Sequence, residues 1–192
     1  MGKEKFVPLS QTQLGIYLDC VRRGKGTYNR HFLYTLDNGI DMKRLAAAIE
    51  KAVAAHPYMN VRIVERDGEP MQYIPDSFEP YSQTVTEMTE EEWKREMPRL
   101  ISTPLELMGG RLFRFDLVQT EKAKYFLRTT HHIAFDGTAN NVLFADIAAA
   151  YNGLEITSEG YNSLDAARDE TEKRNGSEYE TAKNGTMRTS PA

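Results

Sequence analysis

Thr130-His131-His132-Ile133-Ala134-Phe135-Asp136-Gly137 stands at the carboxyl end of a β-prone run, Lys124 to Thr130, and holds two of the chain's four histidines beside an Asp-Gly pair. Upstream, Phe113, Phe115 and Leu117 alternate with Arg114 and Asp116, and a charged turn at Glu121-Lys122 separates this run from the next, so paired strands are expected. Downstream, Leu143, Ile147, Ala150 and Tyr151 return to helical spacing over Ala139 to Tyr151, and Asn152-Gly153 supplies the stop. The stretch is therefore a strand-to-helix loop. A histidine there can take or give a proton near neutral pH. Asp136 can hold an arginine or the loop itself, and Gly137 permits close backbone approach or φ > 0. Each residue alone reads as a satisfied strand end; the combination points to function.

Working outward, Ser10 and Gln13 have capping-box spacing and Leu9 and Leu14 staple spacing, so a helix starts there. Its apolar stripe is Leu14, Tyr17, Leu18 and Val21, and Gly24 and Gly26 end it. His31 to Asp37 reads as a strand closed by Asp37-Asn38-Gly39. Asp41 caps a second helix whose Met42, Leu45, Ile49, Ala52 and Val53 share a face, and Pro57 ends it with His56 at the exit. MNVRIVER (59–66) and EPMQYI (69–74) are strand patterns joined at Asp67-Gly68, a strong hairpin signal. Thr89 and Glu92 repeat the capping-box spacing, with Met88 and Trp93 at staple positions, for a helix from about Glu90 to Ile101. Past Gly160 large apolar residues are few and charges many, which suits at most a surface helix. The expected class is α+β, a mixed β-sheet with helices packed on it.

Composition narrows the function. The chain's 192 residues suffice for one sizeable core, and 40% hydrophobic with 27% charged residues is ordinary globular usage. A net charge of -4 without a basic run argues against nucleic acid, and no apolar stretch nears the ~20 residues that span a bilayer. The single cysteine, Cys20, makes no internal disulfide, and MGKEKFVPLS lacks a signal-peptide apolar core, so cytoplasm is expected. No His-Glu-x-x-His, cysteine pair or Gly-x-Ser-x-Gly is present, which gives zinc chemistry and a serine hydrolase no footing. Gly24-Lys25-Gly26-Thr27 reads as a helix exit rather than a phosphate cradle.

HHIAFDG (131–137) matches HHxxxDG, the signature of the condensation domains of nonribosomal peptide synthetases and related acyltransferases of the chloramphenicol acetyltransferase fold. PLSQTQLGIYLD (8–19) resembles that family's opening helix, AHPYMNVRI (55–63) its His-Pro-x-Leu-Arg-Thr-like segment, and TPLELMGGRLFRFDL (103–117) the stretch ahead of the signature strand. The resemblance runs in order from Phe6 to Gly153. It implies an N-terminal condensation lobe over residues 1–158, followed by a polar charged tail, 159–192, that ends where a second lobe would begin. It also implies amide bond formation between an acyl thioester and an amine, with no cofactor bound by the chain itself and both substrates on phosphopantetheine arms of carrier (thiolation) domains.

By the same resemblance His132 is the general base or orienting group, beside His131, Asp136 and Gly137 of the catalytic motif. The family's aspartate pairs with an arginine where this chain has Asn60, which leaves Arg62 or Arg128 as substitute partners for Asp136. Further partners are a second lobe or a second copy of the chain as a homodimer. The alternative is a noncatalytic carrier-binding or dimerising scaffold. The last residues, Lys183 to Pro191, are compatible with one base lost after Asn184 from a frame reading Asn-Trp-Tyr-Asp-Ala-Tyr-Ile-Ala, which resembles the family's continuation.

Overall fold

The helix starts form as their spacing dictates. In a computed structural model, which describes residues 6–24 and 26–175, Ser10 caps α1 (Gln11–Arg23) and Thr89 caps α3 (Glu90–Ser102), each with a complete reciprocal capping box. Asp41 caps α2 (Met42–Ala55) by accepting from the N–H groups of Lys43 and Arg44. The remaining helices are α4 (Gly137–Tyr151) and α5 (Ser163–Asn175). A 3-10 turn, Pro57–Asn60, follows α2.

The strands form two sheets. One holds β1 (Val7–Pro8), β3 (Arg62–Arg66) and β4 (Glu69–Tyr73) in the order β1-β4-β3, all antiparallel. Its hairpin turns at Asp67 (φ 54) and Gly68 (φ 83), the pair of left-handed residues that a two-residue turn needs to match strand twist. The other holds β2 (Asn29–Leu36), β5 (Val85–Glu87), β6 (Phe113–Gln119) and β7 (Lys124–His131) in the order β2-β7-β6-β5. β7 is central and antiparallel to both neighbours; β5 runs parallel to β6.

Alternation along these strands divides the interior. Phe113, Phe115, Leu117 and Phe126 enter one core with Ile49 and Val53 of α2 and Leu143 and Ile147 of α4. Val118 and Leu127 point to the other face and pack with Trp93 of α3. Ile49, Val53, Leu117 and Leu127 are all but sealed from solvent, and each such side chain stabilises the fold by roughly 1.5–3 kcal/mol. This packing holds β7 rigid, so the loop that leaves its carboxyl end starts from a fixed point.

Three features depart from the sequence reading. Met59 and Asn60 lie in the 3-10 turn rather than in a strand, because Pro57 at its start favours a turn and the Val61 N–H closes it on the Tyr58 carbonyl. β1 and β5 have no counterpart in the sequence pattern; at two and three residues they are too short to show alternation. Beyond residue 159, α5 buries Leu164 and Ala167 in the same core as α2 and α4 and packs on β1, although its outer face is charged. Among the described residues no helix is long and apolar enough to cross a membrane. The reading at Asn184 lies outside the described residues.

Candidate active site

His131 is the last residue of β7 and His132 the first of the turn that leaves it, and the two rings face different spaces. His131 turns inward and is 1% exposed. Its Nδ1 accepts from the Ile133 N–H at 3.2 Å, so the proton sits on Nε2, which faces Cys20 Sγ at 3.8 Å. Burial pushes its pKa down to about 4, with the neighbouring His132 adding to the effect, and burial pushes the Cys20 thiol up. Neither is a charged nucleophile or base at neutral pH. His131, expected beside His132 in the catalytic motif, instead lines a separate cavity of about 130 Å³ with Cys20 and Met108.

His132 faces the other way and is half-buried. Its backbone N–H is held by the Tyr28 carbonyl at 2.9 Å, and its ring stacks on Tyr28 with centroids 6.4 Å apart. Tyr28 is itself pinned, donating through its hydroxyl to Asp19, which also accepts from Arg22 and Arg23. The His132 Nδ1 lies 2.8 Å from the Phe135 carbonyl. A carbonyl only accepts, so Nδ1 carries the proton and Nε2 keeps its lone pair. Among the described residues Nε2 has no hydrogen-bond partner. The ring lines a groove of about 280 Å³ with Gln13 of α1, Asp136 at the loop end, and Ser163 and Glu170 of α5.

Asp136 is exposed and caps α4, its Oδ1 accepting from the Ala139 N–H at 2.7 Å. The expected arginine partner is not there. Arg62 folds back onto the carbonyls of Asn60 and Val61 at 2.9 and 3.0 Å. Arg128 donates to Asn140 Oδ1, its guanidinium lying between the rings of Phe32 and Phe144. A solvated carboxylate satisfied by a helix N-terminus needs no cation, which is why the loop stands without the pair. Asn60, at the place of the family's arginine, is 2% exposed, and among the described residues its Oδ1 has no hydrogen-bond partner. Gly137 opens α4 without a left-handed φ, so of its two expected uses close backbone approach is the one that remains; among the described residues a Cβ there would touch nothing within 4 Å, which leaves open space at the helix start.

Sequence reasoning missed groups that only the fold assembles. Gln13 closes the α1 capping box by accepting from the Ser10 N–H, and its Nε2, with two hydrogens among three acceptors, lies 3.0 Å from the Tyr58 hydroxyl, 3.2 Å from Gln72 Oε1 and 3.3 Å from the Ile133 carbonyl, which ties α1 and β4 to the loop. His56 places Nε2 at 2.6 Å from Asp146 Oδ2 and Nδ1 at 3.2 Å from Glu159 Oε2. Two carboxylates on one ring favour protons on both nitrogens, and Glu159 foremost, then Asp146, raise the His56 pKa above its ordinary value. Glu159 also accepts from the Tyr58 N–H at 2.8 Å. These contacts wall a second cavity, about 380 Å³, lined by His56, Tyr58, Val142 and Tyr161. Ala134, Phe135 and Asp136 border both spaces, so the signature loop divides them. No local pattern could have shown the His56 cluster, whose carboxylates come 90 and 103 positions later.

The Condensation domain family model matches residues 3–168. Tyrocidine synthase 3 of Brevibacillus parabrevis is 28% identical over 153 residues, covering 79% of this chain and 2% of that protein. Surfactin synthase subunit 2 of Bacillus subtilis (strain 168) is 27% identical over 155 residues, covering 80% and 4%. The starter condensation domain of rhizomide synthetase superposes with a TM-score of 0.77 at 16% identity, covering 98% of this chain and 48% of that one. The epimerization domain from the third module of tyrocidine synthetase B superposes with a TM-score of 0.75 at 18% identity, covering 98% and 46%. The chain thus spans about half the length of these solved relatives and a small part of the synthetases. With the family model reaching from the opening segment through the signature loop into α5, and the lobe fold shared with solved condensation domains, the chain belongs to the condensation-domain family.

Proposed function

We propose that this lobe carries the acyl-transfer centre of a nonribosomal peptide synthetase condensation domain, joining a carrier-bound acyl thioester to a carrier-bound amine, with His132 as the group that orients the amine and takes its proton. The observation that carries the reading is the Nδ1–H bond to the Phe135 carbonyl, which leaves the Nε2 lone pair of His132 as the acceptor in a groove.

The chemistry asks little of the base before attack. An α-amine has a pKa of roughly 7.7–8.0, so about a tenth is neutral at pH 7. The amine nitrogen attacks the thioester carbonyl carbon and forms the C–N bond. Its surplus proton passes to His132 Nε2 as the tetrahedral intermediate forms. Collapse of the intermediate breaks the C–S bond, and the departing sulfur of the phosphopantetheine arm recovers that proton. Asp136 braces the bend by capping α4, and the open space at Gly137 admits a substrate close to the backbone.

Orientation is the larger contribution. Holding both reactants supplies up to ~7–11 kcal/mol of the barrier in good cases, and a groove bordered by one lobe holds only one side of them. The partners in this reading are carrier domains in the cytoplasm and a second lobe, or a second copy of the chain, as the facing wall. The test is incubation with a loaded donor and acceptor carrier pair, with and without a condensation C-terminal lobe supplied separately. Amide formed only with the added lobe supports the reading, and His132→Ala should lower its single-turnover rate ~10²- to 10⁴-fold. No amide under either condition would favour the noncatalytic carrier-binding or dimerising module.

A further inference from the structure

Arg128 is placed where a cation is hard to keep. On β7 it is 2% exposed, with its guanidinium carbon 4.4 Å from the Phe32 ring centroid and 5.3 Å from that of Phe144. No carboxylate among the described residues pairs with it, and its buried Nε has no hydrogen-bond partner. Burying a cation without a counter-charge is destabilising, and ring faces compensate only in part. Packing alone would be better served by an apolar side chain of the same volume.

The contact that Arg128 makes leads to the signature loop. Its Nη1 donates to Asn140 Oδ1, which fixes the orientation of that amide. Asn140 Nδ2 then donates to the Asp136 carbonyl at 2.6 Å, and the Asn140 backbone N–H reaches the same oxygen at 3.2 Å. The preceding carbonyl is that of Phe135, the acceptor for His132 Nδ1. A relay of hydrogen bonds thus runs from a cation rooted in the central strand to the peptide adjoining the group that sets the His132 tautomer.

We propose that Arg128 and Asn140 are positioning residues, which hold the Asp136 end of the loop so that the Phe135 carbonyl stays aimed at His132 Nδ1. The consequence for rate rests on the catalytic reading of His132; the structural consequence does not. Arg128 is kept, in this account, for the aim of one imidazole and against the interest of stability.

The experiment is ¹⁵N NMR of the histidine-labelled chain at a pH where the His132 ring is neutral, together with thermal melting, on wild type, Arg128→Met, Asn140→Leu and Asn140→Asp. In wild type the Nδ1–H form of His132 should dominate. In Arg128→Met and Asn140→Leu the Nε2–H to Nδ1–H ratio should rise about fivefold, the effect of roughly one hydrogen bond, while Arg128→Met melts no lower than wild type. Asn140→Asp covers the case in which Arg128→Met does not fold. It gives Arg128 a counter-charge and removes the donor to the Asp136 carbonyl, so it should melt higher and still shift the tautomer. An unchanged tautomer ratio in Asn140→Asp and Asn140→Leu overturns the proposal, as does a lower melting temperature with an unchanged ratio in Arg128→Met. A shifted ratio leaves this inference standing whatever the fate of the catalytic reading, because a fivefold rise from a minor form leaves most His132 rings in the Nδ1–H tautomer; the catalytic role is decided separately by His132→Ala in the amide assay.

Discussion

Acidification should weaken this lobe by about 3 kcal/mol through His131 alone, a magnitude that follows from where the fold puts one ring. The folded pKa is about 4 against an ordinary value of 6.5, because the imidazolium would sit in a sealed site beside His132, with Nδ1 already committed as acceptor to the Ile133 N–H. Between those values the unfolded chain binds a proton that the folded chain refuses, so stability rises with pH across the window. The contribution is complete above about pH 6.5 and is lost as the pH falls toward about 4, at ~1.4 kcal/mol for each pH unit between the two values, which gives ~3 kcal/mol at pH 4. Trp93 is 2% exposed and is the chain's single tryptophan, so its fluorescence reports urea unfolding without labels. Denaturation midpoints between about pH 7 and pH 4 should be compared for wild type and His131→Asn, whose side-chain oxygen can still accept from Ile133. The difference between the two proteins should move in favour of the variant by about 3 kcal/mol on acidification. Curves that stay parallel would refute the reasoning, since they would mean that His131 protonates in the folded state as readily as in the unfolded one.

His56 has the opposite sign. Glu159 first and Asp146 next raise its folded pKa, so its contribution is fully present below the unfolded value of 6.5 and is lost as the pH rises through the folded one. Raising the pH through that range should therefore destabilise wild type relative to His56→Gln, read as urea midpoints, and should speed amide exchange at Tyr58, whose N–H is held by Glu159. Asp136→Ala should cost ~1 kcal/mol, the loss of a helix cap, and Asp136→Asn much less; an effect of several kcal/mol in thermal melting would mean a buried ion pair after all. Gly68→Ala, at φ 83 in the hairpin turn, should cost about 1 kcal/mol by chemical denaturation, because that conformation strains any side chain.

What could be read in advance shares one property: its cause lies within a few residues. Ser10 meets Gln13 and Thr89 meets Glu92 one helical turn away, and Asp67-Gly68 makes its turn from its own backbone freedom, so the capping boxes and the hairpin are as expected. The alternation of Phe113, Phe115 and Leu117 likewise marks one buried face without knowledge of what covers it. HHIAFDG is also local, and it placed the strand-to-helix loop correctly. The parallel pairing of β5 with β6 was not legible, since three residues carry no period and their partners lie more than thirty positions on.

The arginine expected for Asp136 failed for a related reason. A sequence shows that Arg62 and Arg128 exist and that Asn60 is not an arginine, but not that Asp136 is already satisfied by the Ala139 N–H in solvent, nor that Arg128 is sandwiched between rings from β2 and α4. Chain order alone also leaves His131 and His132 equivalent. The end of a packed central strand makes them different, sending one ring into a small cavity beside Cys20 and the other, stacked on Tyr28, into a groove. Helix starts, turns and strand faces were therefore determined by the sequence, because short-range sterics and hydrogen bonds decide them. Which histidine meets solvent, which acid is capped and which cation stays unpaired were decided by tertiary structure, because burial and charge pairing depend on groups that only the closed fold brings within a few ångströms.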